Sequence, residues 1–74
     1  MDIHFHTYTP VKSKMVKEPL LTLRNEAFVP PKDSPIRIGP KLYTVQSIGY
    51  RASSLGLDAI VILGHCPFEN VEGL

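Results

Sequence analysis

The chain has 74 residues, 43% of them apolar and 20% charged, with a formal net charge of +1. That balance is ordinary for a globular protein and excludes extended disorder. It also excludes the strong overall field that draws a protein onto nucleic acid or an anionic membrane. At this length a single small domain or a domain fragment over residues 1–74 is expected, burying roughly 60% of the surface its unfolded chain would expose. One cysteine, Cys66, cannot form an internal disulfide, and no apolar run approaches the ~18 residues of a membrane helix. The first residues, Met1-Asp2-Ile3-His4, lack the basic start and apolar core of a secretory signal, so a cytoplasmic location is expected.

In chain order, Asp2 to Tyr8 alternates with a period of two, which predicts a strand. Ile3, Phe5 and Thr7 share one face, and His4 and His6 share the other. Thr9 to Pro19 carries Lys12, Lys14 and Lys17 between prolines and reads as a solvated basic loop. Leu20 to Val29 fits either a short strand or a helix, and strand is favoured. Prolines at 30, 31, 35 and 40 bar any helix from the following stretch.

Leu42 to Leu55 has two readings. As a helix it places Val45, Ile48, Gly49, Ala52 and Leu55 on one stripe, with Thr44 as the cap and Gly56 as the left-handed terminator. As a strand it changes phase between Val45 and Ile48 and so needs a bulge near Gln46 and Ser47. Helix is the simpler reading because it needs no irregularity. Asp58 to Leu63 is a near-continuous apolar run, as in a strand covered on both faces of a parallel sheet. Strand, helix and buried strand together predict an α/β fold, a partial (β/α)-barrel-like βαβ unit with a long proline-rich connection. The remainder, His65 to Leu74, is polar.

Two histidines at i and i+2 on a strand point the same way and are able to ligate one ion. In a parallel βαβ unit both strands end on the same side of the sheet, where ligands collect. His65, just beyond the second strand, is therefore expected to join His4 and His6 around one mouth, with Asp2 and Cys66 nearby. Imidazoles suit zinc, iron or manganese, so a divalent metal is the expected cofactor.

Asp2-Ile3-His4-Phe5-His6-Thr7 resembles the D-x-H-x-H-T opening of the polymerase-and-histidinol-phosphatase (PHP) family of metal-dependent phosphoesterases. Gly56-Leu57-Asp58-Ala59-Ile60-Val61-Ile62-Leu63-Gly64-His65 resembles the same family's second motif, and Val71-Glu72-Gly73-Leu74 resembles the segment after it. The resemblance implies a distorted (β/α) barrel that hydrolyses phosphate esters through a metal-activated hydroxide, with His4, His6 and His65 as metal ligands. Leu63-Gly64 stands where the family has Thr-Asp, and Thr9-Pro10-Val11 where it has Ser-Asp-Gly. A complete barrel needs on the order of 200 residues, so a truncated or divergent hydrolase is implied, with a second chain or a further copy completing the fold. A TatD-like hydrolase, which also opens with His-x-His, is the second family of resemblance.

The competing expectation belongs to another class. A five-stranded β-barrel built from Asp2–Tyr8, Leu20–Phe28, Pro35–Gly39, Tyr43–Arg51 and Asp58–Leu63 would be a small protein-interaction module without catalytic activity, binding through the loops around Lys14 and Pro31. A nucleic-acid role ranks below both, since Tyr8, Phe28, Tyr43 and Tyr50 are interleaved with only scattered cations. Arg24, Arg37 and Arg51 read as surface solubilisers, and Cys66 as a turn or small buried residue rather than a fourth ligand.

Overall fold

The computed structural model describes residues 1–65, and these form an all-β fold. The strands are β1 (Asp2–Val11), β2 (Lys14–Leu23), β3 (Pro35–Ile38), β4 (Lys41–Ser53) and β5 (Gly56–His65). They make one curled, half-barrel sheet in the order β2-β1-β5-β4-β3. β1 runs parallel to β5, and every other neighbouring pair is antiparallel.

The expected βαβ unit is overturned at its helix. Leu42 to Leu55 is not helical: β4 occupies it, and its register against β5 jumps from Val45↔Leu63 to Ser47↔Ile62. Gln46 is the extra residue of a bulge. It restores Val45 and Ile48 to the same face although they lie three apart, which is the spacing that mimics a helical stripe. Tyr43, Thr44, Val45, Ile48 and Tyr50 are β-branched or aromatic, and pairing on both sides of β4 lets that preference decide. Thr44 caps nothing, and Gly56, with φ of 131°, sits at the start of β5 where the hairpin from β4 returns. The first and last strands are parallel neighbours, as a βαβ unit would make them, but three strands rather than a helix connect them. The five-stranded alternative is therefore the architecture observed, as an open sheet.

Thr9 to Pro19 is also not a loop. β1 continues to Val11 and β2 starts at Lys14, joined by the two-residue turn Lys12-Ser13, in which both residues have positive φ (49° and 69°). That is the pattern of a type I′ hairpin, whose twist matches the strands it joins. The basic residues and Pro19 fit β2 because it is an edge strand, where charge and a missing amide donor are tolerated. Leu20 is a second bulge residue, left over between the pairs Phe5↔Leu21 and His6↔Pro19.

The inner face of the sheet holds the core. Ile3 and Phe5 of β1, Val45 of β4 and Ala59, Val61 and Leu63 of β5 are each at most 2% exposed. Leu23, Val29, Ile36, Ile38, Tyr43 and Ile48 pack around them. The chain must travel from the β2 edge to the β3 edge, and residues 24–34 do so across this inner face, where Val29 rests on the core. The strap is tied at its start by Arg24 and the Asn25 amide to the Asp2 carboxylate, and by the Glu26 amide to the Met1 carbonyl. At its end the Asp33 amide donates to the Val45 carbonyl and the Val45 amide to the Ser34 carbonyl. Asn25 and Asp33 take positive φ, which their short polar side chains tolerate. Among the described residues the end of the half-barrel where β1 and β5 finish is open. No helix among the described residues is long and apolar enough to cross a membrane.

Candidate functional site

The histidine constellation separates into two faces. His4 and His6 stand on the outer face of β1, beside Ile60 and Ile62 of β5. His65 falls in phase with Ala59, Val61 and Leu63, pairs with Tyr43, and so belongs to the opposite face. The parallel strand pair does bring the ends of β1 and β5 to one side, but the two-residue period sends the lone imidazole the other way. Cys66 and Val71 to Leu74 lie outside the described residues.

His4 belongs to a polar chain crossing four strands. Its Nδ1 lies 3.2 Å from the Thr22 hydroxyl, and its Nε2 is 3.5 Å from Asp58 Oδ2. The latter distance is long for a formed hydrogen bond, and His4 Nε2 and His6 Nδ1 are buried nitrogens with no such partner. Asp58 in turn meets the Arg51 guanidinium at 3.4 Å. Burial pushes the Asp58 carboxyl up, but Arg51 and then His4 outweigh it and hold the group below its ordinary value. Burial lowers the His6 pKa, helped by the positive charge of Lys17 and of His4, so the neutral ring is favoured. Neutral imidazole is the ligating form. Yet among the described residues no group of three or more His, Cys, Asp or Glu is arranged to hold a metal ion, so the three-imidazole centre does not fit this fold.

A concavity with a volume of about 800 Å³ lies at the open end of the half-barrel. All five strands line it. Tyr8 from β1 and Leu63 and Gly64 from β5 lie at its middle, Met15, Glu18 and Leu20 come from β2, and Arg37, Lys41 and Leu42 come from the β3–β4 hairpin. Its apolar side chains are wet: Met15 is 63% exposed, Tyr8 46% and Leu20 37%. Gln46, the bulge residue of β4, reaches over Gly64, and a Cβ at position 64 would overlap that side chain. A glycine where the PHP pattern has an acid is explained by this crossing.

Charge is unevenly placed. The turns joining β1 to β2 and β3 to β4 lie at the open end, which among the described residues gathers Lys12, Lys14, Lys17, Arg37 and Lys41 with Glu18. None of these five cations forms an ion pair among the described residues, whereas Arg24–Asp2 and Arg51–Asp58 are paired at the strapped end. Sequence reasoning assigned Arg37 nothing and placed Lys14 and Lys17 in a loop. No sequence signal marks Met15 and Leu42 as sharing a groove, because only the strand order brings the β2 edge and the β3–β4 hairpin around one opening. Lys14 stands on the β2 edge, while Pro31 lies in the strap.

Comparison with protein families, with curated proteins and with solved structures found no match to this chain.

Proposed function

We propose that this chain is a protein-interaction module without catalytic activity, and that the groove at the open end of the half-barrel is its docking site. One observation carries the reading: an exposed groove of mixed polar and apolar lining, built from all five strands, lies between two sheet edges, β2 and β3, that have no strand beyond them among the described residues. A ten-residue edge strand with Met15, Val16, Leu20 and Leu21 at its surface offers unpaired backbone and apolar contact together, the combination used in strand addition by a partner. Selection of peptides on the immobilised chain, followed by mapping of amide resonance changes, tests it. Binders are expected to perturb Met15, Leu20, Arg37 and Leu42. Perturbations confined to the outer face around His4 and His6 would sink the proposal.

A second reading, a metal-dependent phosphoester hydrolase completed by another chain, keeps one specific observation in its favour: two buried imidazole nitrogens on one face without hydrogen-bond partners. Only His4 and His6 belong to it. Calorimetric titration with zinc or manganese decides, and binding no tighter than that of a His4→Ala, His6→Ala double variant ends it.

A further inference from the structure

We infer that the groove takes an acidic, extended segment of a partner protein, with its carboxylates on Arg37 and Lys41 and its apolar side chains on the floor around Met15, Leu20 and Leu42. The inference rests on the groove being the docking site and adds the chemistry of its occupant. Among the described residues Arg37 and Lys41 line the groove with the single carboxylate of Glu18, and neither cation forms an ion pair there. An anionic occupant therefore gains attraction without first breaking an internal pair. Arg37 and Lys41 line the β3–β4 side and Glu18 the β2 side, so carboxylates are directed to the hairpin wall, where they accept hydrogen bonds from the Arg37 guanidinium, one nitrogen of which lies 3.4 Å from the Pro40 carbonyl. Lys12, Lys14 and Lys17 on the β1–β2 hairpin extend the positive field beyond the groove and steer an acidic chain towards it.

The sheet edges argue for a peptide over a nucleic acid. Among the described residues β2 and β3 have no strand beyond them, and a polypeptide backbone is able to pair with their free amides and carbonyls where a nucleic acid is not; Met15, Leu20 and Leu42 add apolar contact beside Tyr8 and Tyr43. An extended peptide also matches the geometry, since alternate side chains point to opposite sides. A segment alternating apolar and acidic residues then sends one set into the floor and leaves the other for the cationic wall.

The experiment measures binding of the full chain to two labelled heptapeptides by fluorescence anisotropy, one alternating Leu and Glu and one alternating Leu and Lys, with amide resonance mapping of each complex. The acidic peptide is expected to bind at least about tenfold tighter, to weaken as ionic strength rises, and to perturb Arg37, Lys41 and Leu42. An Arg37→Glu, Lys41→Glu double variant is expected to lose about that factor for the acidic peptide and to gain affinity for the basic one; the gain shows that the variant is folded. Equal affinity for both peptides, with both mapping to the groove, overturns the acidic preference while leaving the groove as a docking site. An acidic peptide that maps elsewhere overturns both. A short oligothymidine that displaces the acidic peptide from the groove at lower concentration than unlabelled peptide also overturns the inference. So does a tenfold rise in peptide affinity in the Glu69→Gln, Glu72→Gln variant, which would assign the groove to the chain's own carboxyl-terminal segment.

Discussion

Lys12 and Ser13 form the β1–β2 turn with both φ angles positive, a conformation that costs a residue with a Cβ roughly 1–2 kcal/mol. Neither is the Asn or Gly that such turns favour. Lys12→Asn with Ser13→Gly is therefore expected to stabilise the fold by about 1 kcal/mol or more, raising the urea midpoint; an unchanged or lower midpoint would contradict the turn geometry. His6 supplies a second residue-scale test. Its folded pKa lies below its ordinary value, chiefly through burial and then through Lys17 and His4, so between the two values the unfolded chain holds a proton that the folded chain does not. Stability is thus expected to fall as pH drops from about 6.5 towards the lowered value. His6→Gln should flatten that slope in urea titrations across the range. Asp58 acts in a separate, more acidic window: its lowered pKa contributes stability above the ordinary carboxylate range, and that contribution is lost as pH falls through the folded value.

At the scale of the element, β4 holds the lesson about periodicity. Val45 and Ile48 both face inward because Gln46 is absorbed in a bulge, and the bulge residue then lies across Gly64 of the neighbouring strand. The two positions are coupled by contact. Gly64→Ala is expected to destabilise the chain because Gln46 must swing away, and the same change in a Gln46→Gly background should cost less, by a coupling of about 0.5–3 kcal/mol in a double-mutant cycle. Additive effects would mean that the crossing has no energetic consequence. β1 and β5 follow simpler rules. Ile3 and Phe5 alternate with His4 and His6 as the sequence requires, whereas β5, expected to be covered on both faces, buries Ala59, Val61 and Leu63 on the inner face and leaves Ile60 and Ile62 half-buried on the outer one.

At the scale of the whole molecule, the described residues make an open sheet with a core of six buried side chains and two edges that no further described strand covers. Its far-UV circular dichroism is expected to show a strand spectrum without the double minimum of helix, and a helical signal would restore the βαβ reading. The β2 edge is guarded against pairing with other copies by Lys14, Lys17 and Pro19. Lys17→Val combined with Pro19→Val is expected to shift the chain to dimers or larger species in light scattering. A variant that elutes as the parent does would show that the apolar exposure of β2, not its charge and proline, governs association.

The sequence alone determined what depends on local spacing. It placed His4 and His6 together, opposite Ile3 and Phe5, marked Asp58 to Leu63 as a strand, and kept helix out of the prolines from 30 to 40. Whether Leu42 to Leu55 is helix or strand was decided only in the sheet, since a bulge exists only against a partner strand and its spacing is indistinguishable from a helical stripe beforehand. The same holds for Thr9 to Pro19, whose lysines and prolines look like a loop until the chain order makes β2 an edge. The candidate site is more tertiary still. Arg37, Lys41 and Leu42 meet Met15 and Leu20 across the opening because the strap carries the chain from one edge of the sheet to the other, a long-range closure that no short window of residues encodes.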